Sequence, residues 1–229
     1  MAFIQATGIS LAFGDRDILK EVNIYLAAGS KAALTGVNGS GKSTLMKVLA
    51  GEISADAGQR SMGKTREVSS CRVSYLPQSG IVHRGRTLRE EAETAYAPAL
   101  ALLAEMENLG RTLESAVRDD GKTALLLAEY QRLQEAVENS GYYRRDQHIS
   151  TVLRGLGFSL SGLDRPVEEY SGGWQMRIAL AKVLLECPDI LLLDEPTNYL
   201  DIEARSWLEG WLRDYSGGYL MVSHDRYFL

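Results

Sequence analysis

The 229-residue sequence predicts an α/β fold with a parallel sheet, strands ahead of it and an inserted helical hairpin. Three observations carry that expectation. The glycine-rich stretch Gly36-Val37-Asn38-Gly39-Ser40-Gly41-Lys42-Ser43-Thr44 joins a short apolar run at 32–34 to a helical pattern that ends at Ala50. Ile190-Leu191-Leu192-Leu193 is continuously apolar, as a strand buried on both faces requires, and it stops at Asp194-Glu195. Between these two stretches, from about residue 87, apolar residues recur at helical spacing.

Taken in order, residues 2–35 read as strands. Residues 4–11 alternate mildly, 22–26 alternate cleanly, 27–30 form a turn, and 31–34 enter the glycine-rich loop. Phe13 lies just before the second strand, where a ring is either a stacking platform for a base or part of the hairpin core. Strand, glycine-rich loop and helix in this order make a P-loop. Gly36, Gly39 and Gly41 let the backbone turn and approach a ligand without a Cβ in the way. Successive amides then converge on phosphate oxygens at the helix N-terminus. Lys42 reaches the β- and γ-phosphates, the Ser43 hydroxyl is placed to ligate Mg²⁺, and Thr44 donates near the α-phosphate. Gly51 and Gly58 punctuate a loop. Residues 73–78 read as a strand ending in a Pro-Gln turn, where Gln78 offers an oxygen to a metal and a donor to water.

Thr87 is placed to cap a helix with Glu90 and Glu91 in its first turn. Leu102, Met106, Leu109, Leu113 and Val117 form one stripe; Leu126, Tyr130, Leu133 and Val137 form another. With a turn at Asp119-Asp120-Gly121 between them, this is an antiparallel helical hairpin whose stripes face each other. Residues 89–145 hold seven Lys/Arg against eleven Asp/Glu, which weighs against strong binding to a phosphate backbone. A third helix is expected near 146–156. Ser171-Gly172-Gly173 opens a strong helix, either as a second anion site at a helix N-terminus or as a plain serine cap. Asp194 and Glu195, at the end of a buried strand, are costly unless they meet a cation or a reacting group. Asp194 is therefore read as the Mg²⁺ carboxylate and Glu195 as the general base beside the γ-phosphate. Asp201 is expected to cap the next helix. A last strand, 219–222, runs into Ser223-His224-Asp225, which places His224 at a strand's carboxyl end, positioned to donate to a γ-phosphate oxygen.

The remaining signals are exclusions. No apolar run reaches the ~18 residues of a spanning helix, so no membrane insertion is expected. The first residues carry no basic-then-apolar secretory pattern. Cys71 and Cys187 have no metal-ligand spacing and read as free thiols in a reducing, cytoplasmic setting. The net charge of −5 gives no nucleic-acid footprint. His83 and His148 have no motif around them and are expected at the surface.

These motifs, in this order, resemble an ATP-binding cassette (ABC) ATPase over nearly the whole chain. The resemblance implies an ABC-type P-loop nucleotide-binding domain. Its core would be residues 1–86 and 157–229, with an antiparallel β subdomain; a helical subdomain bearing the hairpin arm would span about 87–156. It implies ATP and Mg²⁺ as cofactors. Phe13 then stacks adenine, and Gly36, Asn38, Gly39, Ser40, Gly41, Lys42, Ser43 and Thr44 hold the phosphates. Gln78 joins Ser43 and Asp194 at the metal, and Glu195, His224 and Gln78 form the catalytic set. Ser171, Gly172 and Gly173, the signature, and Asp201, of the loop 198–201, would act across an interface with a second cassette.

The subclass is narrower. Trp174, inserted in the signature at 171–177, and the wording of 193–201 and 223–229 are similar to the ABC-F proteins. These are soluble twin-cassette ATPases, many of which act on ribosomes. The hairpin sits where that family carries its arm. Two positions depart from its pattern: Tyr199 stands where histidine is usual and Tyr170 where leucine is commoner, neither at an expected phosphate or metal contact. The resemblance further implies that closing elements, a charged linker and a second cassette follow Leu229, so the chain is expected to be an N-terminal fragment. A translation factor that partners the ribosome and its RNA is the expected role. The alternative is the ATPase subunit of a membrane transporter. A DNA-repair ATPase is a third reading, which the acidic hairpin does not favour.

Overall fold

A computed structural model describes residues 1–64, 71–79, 83–115 and 120–223. Strands β1 (Ala2–Phe13) and β2 (Arg16–Ala27) form a long antiparallel hairpin that sets Phe13 opposite Arg16. β3 (Lys31–Leu34) leads through the glycine-rich loop into α1 (Lys42–Ala50). β4 (Ala57–Lys64) then returns to pair with β1, giving the sheet order β2-β1-β4. The sequence pattern suggested a loop here. β4 has no hydrophobic alternation and carries two glycines, so its strand character comes from pairing alone. Gly58, at φ 90, packs so closely on β1 that a Cβ would lie 2.4 Å from the Gly8 carbonyl oxygen.

β5 (Val73–Leu76) precedes the helices. α2 (Leu88–Glu93) opens on a reciprocal cap. The Glu90 amide donates to Thr87 Oγ1 at 3.2 Å, and the Thr87 amide donates to the Glu90 carboxylate at 2.7 Å. α3 (Ala97–Ser115) and α4 (Asp120–Asn139) pack along each other as the arm. Leu133 and Val137 are buried at its base, while Leu125 is exposed further out. Asp120 and Gly121 belong to α4, not to the expected turn, and Val117 lies outside the described residues.

α5 (Arg145–Gly155), α6 (Gly172–Leu185), β6 (Ile190–Asp194), α7 (Ile202–Asp214) and β7 (Gly218–Val222) complete the described chain. β6 is buried at every residue and is parallel to both neighbours in the sheet β3-β7-β6-β5. Its side chains divide by parity. Ile190 and Leu192 join a cluster with α1 and the antiparallel sheet, whereas Leu191 and Leu193 join α2, α5, α6 and α7. Each of these four side chains stabilises the fold by about 2 kcal/mol through burial. Asp194, two residues beyond Leu192, thereby falls on the α1 side. None of the described helices is long and apolar enough to cross a membrane.

Candidate functional site

The carboxyl ends of β3, β7, β6 and β5 meet along one edge of the parallel sheet, where open α/β sheets place their ligands. The loops beyond them enclose a cleft of about 510 Å³. Of the expected residues, Phe13, Asn38, Gly39, Gly41, Lys42, Ser43, Thr44, Gln78, Asp194 and Glu195 all line it. Gly36 and Ser40 instead meet across the outer turn of the loop, where a Cβ on Gly36 would lie 3.1 Å from Ser40 Oγ.

The loop is shaped by its neighbours. Gly41, at φ 89, sits at the N-cap of α1, and a Cβ there would lie 2.9 Å from the Ile18 carbonyl oxygen. No side chain caps α1, so its first amides stay open to an anion. Lys42 Nζ donates to the Gly36 and Val37 carbonyls at 2.9 and 3.0 Å, which holds the ammonium inside the loop.

The acids sit deeper. Asp194 is only 2% exposed, and neither carboxylate oxygen has a hydrogen-bond partner among the described residues. An enclosed carboxylate without a partner is costly, and a cation is the group that offsets the cost. Ser43, Gln78 and Asp194 present oxygen donors to one cleft, the chemistry that a hard divalent ion takes, so these residues fit Mg²⁺. Glu195 follows in the left-handed region at φ 53, its amide donating to the Val222 carbonyl at 2.9 Å. A non-glycine residue uncommonly adopts that conformation, and Glu21 and Cys187 are the other described residues that do. The turn sends the Glu195 side chain into the cleft beside Asp194.

Phe13 is 54% exposed at the mouth, a platform rather than a core ring. Arg16, Ile18 and Asn198 line the same cleft. The residue reading did not single out Arg16 or Ile18; hairpin register, which sets Arg16 opposite Phe13, is the signal that would have found the arginine. His224 lies outside the described residues.

Ser171, Gly172 and Gly173 do not line this cleft. Ser171 occupies the N-cap of α6 and is exposed, yet its side chain makes no capping bond, so the plain-cap reading does not hold. Arg177 ties this turn to the loop after β6. It donates to the Tyr199 carbonyl at 2.7 Å and to Asp201 at 3.0 Å, and its guanidinium lies 4.5 Å over the Trp174 ring. Asp201 also caps α7, accepting from the Ala204 amide at 2.9 Å; that bond, then Arg177, lowers its carboxyl below the usual range. Of the two unusual tyrosines, Tyr199 lies beside Gly173 and is exposed, and the Tyr170 hydroxyl donates to the Gly162 carbonyl.

Both histidines expected at the surface are half-buried. His148 Nδ1 shares a 2.9 Å hydrogen bond with the Tyr96 hydroxyl. His83 Nδ1 lies 2.9 Å from Glu91, which is 3% exposed and also meets Lys182 at 2.5 Å and Arg86 at 3.2 Å. The sequence gives each histidine no local motif because the partners are distant in the chain or belong to a helix that folds back over it. Cys71 is buried and Cys187 is exposed.

Comparison with known proteins agrees with this geometry. Residues 19–198 match the family model described as ABC transporter. The chain is 37% identical over 212 residues to ABC transporter F family member 5 of Arabidopsis thaliana, covering 93% of this chain and 30% of that protein. It is 35% identical over 214 residues to the energy-dependent translational throttle protein EttA of Haemophilus influenzae, covering 93% of this chain and 37% of that protein. The chain thus spans about a third of the length of these relatives. A solved ATP-binding subunit of an ABC transporter superposes with TM-score 0.66 at 19% identity, covering 97% of this chain and 79% of the other, a likeness of fold.

Proposed function

Because the chain belongs to the ATP-binding cassette family of ATPases, in its ABC-F subclass, we propose that it is the ATP-hydrolysing cassette of a cytoplasmic, ribosome-associated translation factor. It works as half of a head-to-tail pair of cassettes. Phe13 stacks the adenine, and the amides of 39–44 with Lys42 cradle the phosphates. Ser43, Asp194 and Gln78 hold Mg²⁺, which when bound neutralises charge on the β- and γ-phosphates. Glu195 accepts the proton of the attacking water, and His224 donates to a γ-phosphate oxygen. The division into a core, 1–86 and 157–229, and a helical subdomain with its arm, about 87–156, belongs to the same reading.

The observation that carries the pairing is the Ser171-Gly172-Gly173 turn, the start of a long helix that has no side-chain cap and does not line its own cleft, so its amides are open to an anion. In a head-to-tail pair it closes over the partner's γ-phosphate. There its fixed dipoles and the exclusion of water supply rate. Asp201 crosses the same interface. Turnover per molecule should therefore rise with concentration for the lone chain, and Ser171→Arg should abolish the rise while sparing ATP binding. High turnover, independent of concentration and insensitive to Ser171→Arg, would mean that the site is complete in one chain.

The translation reading is supported by the ABC-F relatives and by the name of the throttle protein. Full-length protein blocked in hydrolysis should co-sediment with ribosomes in ATP. Co-purification with a membrane permease, without ribosome binding in any nucleotide state, would favour the transporter reading.

A further inference from the structure

A second polar group is stranded on the face of the sheet that carries Asp194. Tyr75 lies on β5 in register with Leu192 of β6, and its ring packs with Leu192 and Ile190 in the cluster under α1. Asp194 is two residues beyond Leu192 on the same face, so Tyr75 and Asp194 are diagonal neighbours on adjacent strands. That separation is about 7–8 Å between backbones, within reach of an aromatic side chain. The Tyr75 hydroxyl and both Asp194 carboxylate oxygens are fully enclosed, and none has a hydrogen-bond partner among the described residues. Three stranded polar atoms on one face of the sheet mark a shared polar site. A water with two or three such partners is the usual occupant of a site of this kind.

We propose that Tyr75 is a positioning residue for the cation site: its hydroxyl donates, through a water, to the Asp194 carboxylate and fixes which oxygen faces Mg²⁺. The phenol stays protonated, and hence a donor. Burial first, then the nearby Asp194 and Glu52 charges, holds it well above its ordinary range. The ring anchors the strand packing, while the hydroxyl sets the carboxylate. Outer partners of this kind commonly tune metal affinity tenfold or more.

The inference rests on the reading of the cleft as a Mg²⁺–ATP site, and the test separates the two. Titrate Mg²⁺ against ATP binding, followed by fluorescence of a nucleotide analogue, in full-length wild type and Tyr75→Phe; repeat the binding in excess chelator. Tyr75→Phe keeps the ring and removes only the hydroxyl. Expected is a rise of about tenfold or more in the Mg²⁺ concentration for half-saturation. Metal-free ATP affinity should be unchanged, and nucleotide-free thermal stability should be no lower than wild type. In an Asp194→Asn background, Tyr75→Phe should have no further effect. A half-saturation within twofold of wild type, or an equal loss with and without Mg²⁺, would overturn the role of Tyr75. Wild-type ATP binding that ignores Mg²⁺ altogether would overturn the cation site as well.

Discussion

Glu91 and Asp194 are carboxylates buried to nearly the same depth, 3% and 2% exposed, in opposite surroundings. Glu91, on α2, is met by Lys182, His83 and Arg86, all within 3.2 Å. Asp194, at the end of β6, meets no donor among the described residues. Both carry the desolvation cost of a buried charge. Around Glu91 the chain offsets that cost with its own cations and joins α2 to α6. At Asp194 the chain leaves the cost standing, and the cation is left to arrive with the ligand. An acid with local counter-charges belongs to the scaffold; an acid without them belongs to a site.

The sharpest way to test the division is to remove function without touching the scaffold. Glu195→Gln keeps the shape of the side chain but cannot take a proton. Turnover, measured as phosphate release, should fall by at least about 100-fold. ATP affinity should hold. Turnover within a few-fold of wild type would remove Glu195 from the role of base.

The converse change removes scaffold without touching function. Glu91→Gln leaves Lys182 and Arg86, both reaching solvent, against an enclosed neutral group and should cost about 1–3 kcal/mol in a denaturant titration. ATP affinity of the folded protein should not move. A loss under about 1 kcal/mol would mean that the cluster holds little of the fold together.

Lys42→Ala tests a cation that the cleft does own. Its loss should weaken ATP binding about tenfold or more, since charge-assisted bonds to phosphate are removed while the fold is spared. Unchanged affinity in a titration would contradict the phosphate loop.

Much of this contrast was legible in the sequence, and the rest was not, for physical reasons. The glycine-rich loop, the buried run before Asp194, the Thr87 cap and the Asp201 cap are local patterns, written within a few residues of one another. β4 is made by pairing with β1 rather than by its own side chains, so its glycines read as a loop. Arg16 reaches the cleft through hairpin register with Phe13. His83 is eight residues from Glu91 and 99 from Lys182 in sequence, so only folding reveals its partners. Whether Ser171 caps α6 or leaves the turn open was undecidable from residue type and depended on where the hydroxyl points.

The smallest effect is on pH. Burial, then Lys182, lowers the His83 imidazole below its ordinary 6.5, although Glu91 pulls the other way. Burial pushes the Glu91 carboxyl up, but Lys182, His83 and Arg86 together outweigh it and leave the carboxyl below its ordinary 4.5. With His83 depressed, the unfolded chain binds the proton more readily, so stability should decline as pH falls below about 6.5. The Glu91 contribution is present above 4.5 and is lost as pH falls through the lower folded value. Denaturant midpoints across this range should show both phases, and His83→Gln should shrink the upper one to the part contributed by His148, which burial also holds below 6.5. A midpoint flat from pH 7 to 5 would show that His83 does not titrate against the fold.

Thermal melts of wild type, Asp194→Asn and Glu91→Gln, with and without Mg²⁺–ATP, test the central claim most directly. Without nucleotide, Asp194→Asn should melt no lower than wild type, since it removes an uncompensated buried charge, while Glu91→Gln should melt well below it. With Mg²⁺–ATP at about 100 times its dissociation constant, wild type and Glu91→Gln should each gain about 2.7 kcal/mol, and Asp194→Asn should lose the Mg²⁺-dependent part of that gain. An Asp194→Asn protein that melts far below wild type without nucleotide, and still gains the full Mg²⁺-dependent shift, would contradict the account.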